Sequence, residues 1–589
     1  MKRKKMPAFF VIILIASMLM SSCSAGDAPS ASASSQTVSS SDSTFGANAN
    51  TLYASEIDKT SIMTFEIAVD EASWQTMLDN AIDEEYISAD ITINGTIIKN
   101  VGIRPKGNSS LSSISRDETT DRYSFKIKFD EYVDGQTWMG LDKIVINSNF
   151  SDATSMKEYL SYDIMSYIGV NAPLFAYADI SVNGEAWGFY LAVEDVDSGY
   201  LDRVYGGEGE LYKPDNDNGM GGGQGLGMPG QNPQGGSPSS LNGESGGQAA
   251  PDTFQPRERD NMPGQGGGMR GMAQNGVSLE YTDDNVSSYS AIFENAETKT
   301  DENDHQRIIT ALKNLSDGTD LDTYVNVDAV LRYFAAHTVV VNLDSYISNM
   351  GHNYYLYENN GQISILPWDY NLAFGGFQSG NASDVVNFPI DNPVSGVSME
   401  NRPLLSKLLE VPEYLEKYHV YLQEILDGYF NNGKFEKKVE EINEMISDYI
   451  KNDPSAFYTY EEYQNAITEL KKLGALRAES IQGQLDGTIP SMTNGQQADP
   501  DKLIDASSVN LTALGSQGGM GSRQNSGFSI LDGVDMDTMR SAMEIIQSVK
   551  GGALTDERKK ALYDLGLSDE QIAQMLGMAQ REDTGQRGW

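Results

Sequence analysis

Apolar and polar residues alternate through 89–107, ADITINGTIIKNVGIRPKG, on both sides of an Asn94-Gly95 pair. That pattern predicts two antiparallel strands joined by a tight turn. The same period of two returns in 122–130, RYSFKIKFD, and in 178–197, ADISVNGEAWGFYLAVEDVD, predicting a further strand and a second hairpin. Between them the period lengthens. Met156, Tyr159, Leu160, Ile164 and Ile168 share one face of an expected helix, with Gly169 as its stop. Residues 326–344, NVDAVLRYFAAHTVVVNLD, are apolar enough to predict a central buried helix. Two short strands, NYYLYE and QISILP, follow around a turn at Asn359, Asn360 and Gly361. Beyond Arg402 the chain is helical, with Phe435, Val439, Ile442, Ile446 and Ile450 in one stripe.

Length and composition divide this pattern into parts. With 589 residues, more than one folding unit is expected. A Ser/Ala-rich tether covers 24–52, a β-rich N-terminal lobe 53–214, and a Gly/Gln/Met-rich flexible insertion 215–276. A mostly helical C-terminal lobe covers 277–483, a low-complexity linker 484–530 and a helical appendage 531–589, where Ser568 and Gln571 are spaced as a capping box. The insertion lacks the strand and helix that would make a glycine run a phosphate cradle. Its DNDNGM start is no calcium loop either, because Met220 and Leu226 stand where glycine and glutamate are needed.

The N-terminus carries an address. MKRKK followed by PAFFVIILIASMLM and SSCSAG is a signal segment over 1–23 whose Cys23, the single cysteine of the chain, is placed for lipidation. The expected location is exported and lipid-anchored, on the outer face of a bacterial cytoplasmic membrane. Acidic residues outnumber basic ones 84 to 42, a net charge of −42 that argues against nucleic acid as a partner.

Three segments carry the chemistry. NLDSYISNMGHN ends the buried helix and holds Asp344, Asn349 and Asn353. LPWDYNLAFGG ends the last strand and holds Asp369. The strands with Lys106, Lys126 and Lys128 precede a helix with Glu158. A buried helix, an Asp loop with a following Asn, a hairpin and a second Asp is the order used by phosphoryl-transfer enzymes of the protein-kinase type. Magnesium suits such a site, since it takes hard oxygen ligands and few carboxylates. The four histidines show no pair at metal-ligand spacing, and no Ser-His-Asp order or nucleophile elbow appears. Trp368 and His337 read as core residues.

GIRPKGNSS, GFYLAVEDVD, NLDSYISNMGHNYYLY and LPWDYNLAFGG, in this order, resemble the spore coat protein H (CotH) kinase family over roughly 55–480. The resemblance implies an α+β, atypical protein-kinase-like fold of two lobes that binds ATP and Mg2+ and phosphorylates serine on surface or coat proteins. It implies Asp344 as catalytic aspartate and Asp369 as metal ligand, with Asn353 and Asn349 both candidates for the metal-binding asparagine. Lys106 and Lys126 are candidates for the phosphate-contacting lysine, Lys128 shares the face of Lys126, and Glu158 would orient the lysine. The connection YLAVEDVD, with Glu194, would lie near adenine. The ordinary kinase glycine loop and His-Arg-Asp triplet are missing, and Asn371 fills a place where the family usually has a second aspartate. A competing expectation is a non-catalytic surface lipoprotein that uses the same fold as a binding or assembly scaffold.

Overall fold

The computed structural model describes residues 49–215, 276–515 and 556–564. Cys23 with its signal segment, nearly all of the Gly-rich insertion, and the Ser568–Gln571 capping box lie outside the described residues. The architecture is α+β. Strands β1 (Ile62–Ala68), β2 (Ile87–Ile93), β3 (Thr96–Lys106), β4 (Ser124–Lys128), β5 (Lys143–Asn147), β6 (Phe175–Val182) and β7 (Glu185–Glu194) close into a barrel. Their order is β1-β2-β3-β4-β5-β7-β6, antiparallel throughout except where β1 and β6 meet in parallel. Periodicity announces strands but not closure, because the β1–β6 seam joins residues more than a hundred positions apart.

Alternation fills the barrel as expected. Phe65, Ile91, Ile93, Val101, Ile103, Phe125, Ile127, Ile144 and Ile146 are buried, and each removes apolar surface worth roughly 1.5–3 kcal/mol from water. The Asn94-Gly95 turn has φ of 47° and 81°, the paired left-handed geometry that matches strand twist in a two-residue hairpin.

A second sheet is smaller: β8 (Glu210–Tyr212), β9 (Tyr354–Asn359) and β10 (Gln362–Pro367), with β9 in the middle. Thus 210–212, at the end of the segment read as the N-terminal lobe, pairs with a strand of the segment read as the C-terminal one. Helices Val327–Val340, Pro412–Ile425, Lys434–Asn452 and Tyr460–Leu485 build the remaining core. Helix Lys157–Tyr167 is not the one-faced helix of its spacing: every residue from Lys157 to Met165 is buried. It is packed between β6 and helix Val327–Val340.

Residues 484–515 differ from the expected linker. Helix Tyr460–Leu485 runs into the segment, and Ile489, Ala506, Val509 and Leu514 are buried. Ala153 N–H donates to Leu514 O at 3.1 Å, and Lys157 Nζ to Gly515 O at 2.8 Å. A few apolar anchors and satisfied carbonyls hold a strap whose overall composition is polar. The tether also ends earlier than expected, in a short helix Ala49–Ser55 that buries Tyr53. Of the appendage, the described part is a helix, Asp556–Asp564. Among the described residues, no helix is long and apolar enough to cross a membrane.

Candidate active site

Helix Val327–Val340 ends where Val341 turns left-handed, with φ 48°. Asn342 then links two loops: its side-chain oxygen accepts from Asp344 N–H at 3.1 Å, and its amide donates to Asp369 O at 3.2 Å. His337 makes a second link from inside the core, with Nδ1 2.7 Å from Tyr370 Oη and Nε2 3.0 Å from Ser345 Oγ. Burial pushes this imidazole down to about 3, so it stays neutral while it holds both loops. The buried Arg402 guanidinium fixes the rest of the Asp344 loop by donating to Tyr346 O and Ser348 O.

The Asp344 carboxylate is held at both oxygens. Asn353 Nδ2 donates to Oδ2 at 3.0 Å and to the backbone oxygen at 2.9 Å. His352 Nε2 lies 2.6 Å from Oδ1. Burial opposes a charge on His352, but the Asp344 hydrogen bond and the charges of Asp344, Asp369 and Asp215 outweigh it and raise its pKa. Asn353 and Asp369 both sit at positive φ, 55° and 60°. Strained backbone of this kind persists where neighbours over-determine it, which is common at functional sites.

Asp369 is gripped from the other side by helix Lys157–Tyr167. Its N–H donates to Tyr162 Oη at 3.1 Å, and the Tyr162 hydroxyl donates to Glu158 Oε1 at 3.1 Å. Asn147, the last residue of β5, donates to Glu158 Oε2 at 2.8 Å, while its oxygen faces Lys106 Nζ at 3.4 Å. Lysine and glutamate are therefore joined through an amide. Burial, and then the Asp369 charge, push the Glu158 carboxyl up to about 7, against the pull of Asn147, Lys106 and Tyr162.

This shift has a testable sign. Without metal, the folded chain keeps the Glu158 proton up to about 7, whereas the unfolded chain loses it near the ordinary 4.5. The folded state binds more protons in that window, so stability falls as pH rises through it. Glu158→Gln should flatten the fall. Urea unfolding in EDTA at about pH 5 and about pH 7.5 checks this; equal losses in both proteins would count against it.

Asp344, Asn353, Asp369, Glu158 and Lys106 thus come together, and several other candidates do not. Asn349 is exposed, with its N–H donating to Ser395 O at 3.1 Å on a different bridge. Lys128 pairs with Glu131 at 2.9 Å and Asp130 at 3.8 Å on the barrel exterior. Lys126 stands near the site, where its charge acts on Lys213, but its ammonium is paired with the buried Asp195 at 2.6 Å. Glu194 is structural: its carboxylate accepts from Arg203 at 2.5 Å, Tyr53 Oη at 2.6 Å and Leu174 N–H at 2.9 Å. Fully enclosed by these donors, it has no oxygen left for a nucleotide. Asn371 donates to Phe150 O at 3.0 Å, a bond an aspartate could not make.

Sequence reasoning missed His352, Asn342, Asn147 and Tyr162. His352 alone carried a signal, its place directly before Asn353. Among the described residues no three acids, histidines or cysteines form a metal cage. Magnesium needs less, one or two carboxylates beside waters and phosphates. Asp369 offers one such carboxylate, and its charge already disfavours ionisation of the neighbouring Glu158, a repulsion that a bound cation would relieve.

Acids and amides close to a lysine are among the parts that phosphoryl-transfer enzymes use. The sequence model described as CotH kinase protein matches residues 103–481, and the chain belongs to the CotH kinase family. It is 24% identical over 329 residues to inner spore coat protein H of Bacillus subtilis (strain 168), an alignment covering 54% of this chain and 72% of that protein.

Proposed function

We propose that this chain is a magnesium-dependent atypical protein kinase that transfers phosphate from ATP to serine hydroxyls of a surface or coat protein. The barrel serves as one lobe and the helical core as the other. The observation that carries this reading is the single hydrogen-bonded path Lys106–Asn147–Glu158–Tyr162–Asp369–Asn342–Asp344, which gathers five stretches of chain around three acids.

In this reading Asp344, oriented by His352 and Asn353, receives the serine proton. The serine oxygen–phosphorus bond forms as the bond from the γ-phosphorus to the β-phosphate oxygen breaks, and ADP leaves. Lys106 contacts the phosphates and Glu158 orients it through Asn147. Asp369 and Asn353 would hold magnesium, which supplies charge neutralisation at the phosphates. The name of the relative, a spore coat protein, supports a coat or surface setting; anchoring through Cys23 rests on the signal-like sequence ahead of it.

The test is the mature chain with magnesium, γ-labelled ATP and a serine-containing test protein. Asp369→Ala is expected to weaken magnesium-dependent ATP binding at least about tenfold, the loss typical even of outer-shell partners of a metal. A wild type that neither binds nucleotide nor transfers label would sink the kinase reading. Binding without transfer would favour a scaffold.

A further inference from the structure

Lys213 lies outside every motif discussed so far, yet it stands at the same site. It directly follows β8, whose Tyr212 is paired with Leu356 of β9, and its N–H donates to Asn295 O at 2.9 Å. Its backbone is therefore fixed on both sides. The side chain reaches Trp368, the residue before Asp369: Nζ is 5.3 Å from the Trp368 ring centre and 5.5 Å from that of Tyr355. Lys106 Nζ is 5.6 Å from the same Trp368 ring. Two ammonium groups share one indole.

Among the described residues, neither ammonium has an ion-paired carboxylate, and the one hydrogen bond between them is the long one from Lys106 to Asn147. The nearby Asp195 is already taken by Lys126 at 2.6 Å. Burial, followed by the charge of Lys106, lowers the Lys213 pKa; Glu297 opposes them, and Lys126 and Asp195 act in opposite directions with smaller effect. An aromatic face compensates such a cation only in part, by about 0.5–2 kcal/mol. Two ammonium groups with no carboxylate at ion-pair distance suit an anion, and one with several charges can reach both amines.

We propose that Lys213 is a second phosphate-binding residue that, with Lys106, grips a polyphosphate chain beside Trp368. This rests on the kinase reading for the identity of the ligand as ATP, but the anion site itself does not. Trp368 then has a second role beyond closing the core: its ring spaces the two amines.

Calorimetry with Mg·ATP and, separately, inorganic tripolyphosphate tests this on the mature chain. Lys213→Met keeps the aliphatic stem over the two rings and removes the charge; it should weaken both ligands about tenfold or more. Lys213→Arg should stay within a few-fold of wild type, and matching thermal melting of both variants shows that the fold is kept. Wild-type affinity for tripolyphosphate in Lys213→Met would overturn the proposal and leave the kinase reading standing. Binding through Lys213 without phosphoryl transfer would retain the anion site and remove the kinase reading. A wild type that binds neither ligand would overturn both.

Discussion

Asp344→Asn should lower phosphoryl transfer by roughly 10²–10⁴-fold, the range a positioned proton acceptor contributes, while ATP affinity stays within a few-fold of wild type. The substitution keeps volume and leaves Asp369, Glu158 and Lys106 in place, so a loss confined to turnover isolates the role of the carboxylate. His352 provides an independent readout. Burial favours its neutral ring, and the hydrogen bond and charge of Asp344 are the main forces raising its pKa. Removing that charge should lower the His352 pKa, which its ring-proton shifts follow by NMR. Unchanged transfer would place the proton acceptor elsewhere. A loss of ATP affinity equal to the loss of turnover would mean that Asp344 binds rather than reacts.

How much of this site the sequence disclosed depends on the range of the forces involved. Asp344, Asn353 and Asp369 were legible because a buried helix, a loop and a tight hairpin fix them within a short stretch. The choice between Asn349 and Asn353 was not legible. Ser348 forms an isolated bridge to Ser395 and Asn349 N–H donates to Ser395 O, backbone pairing that nothing in the local sequence announces. The three lysines look alike on alternating strands, and only distant partners separate them: Asp195 for Lys126, Glu131 for Lys128 and Asn147 for Lys106. The partners of the Glu194 carboxylate were hidden for the same reason, since nothing local announces Arg203 and Tyr53 closing over it. Lys213 was hidden by its position beside the Gly-rich insertion, where composition changes abruptly.

Arg122→Ala is expected to cost about 3–5 kcal/mol, the loss seen when one member of a buried ion pair is removed. Arg122, just ahead of β4, is buried, and its Nη1 lies 2.7 Å from Asp453 Oδ2 and 2.8 Å from Ser455 Oγ. It also donates to Ser148 O at 3.0 Å and to Phe189 O, and stacks 4.5 Å from the Tyr190 ring centre. Asp453 caps the end of helix Lys434–Asn452, so this one side chain fastens the barrel to the helical core. Without it, Asp453 keeps only Phe189 N–H at 3.1 Å and its contacts to Ser455, an uncompensated buried charge. Urea unfolding should show a lower midpoint, and a shift worth less than about 1 kcal/mol would mean that water replaces the guanidinium. Arg122→Met combined with Asp453→Leu should recover much of the loss, because both charges then leave together. The link extends to the site: Ser148 follows Asn147, the amide between Lys106 and Glu158. Arg122→Ala that remains folded should therefore bind ATP more weakly than wild type, whereas Asp344→Asn should not.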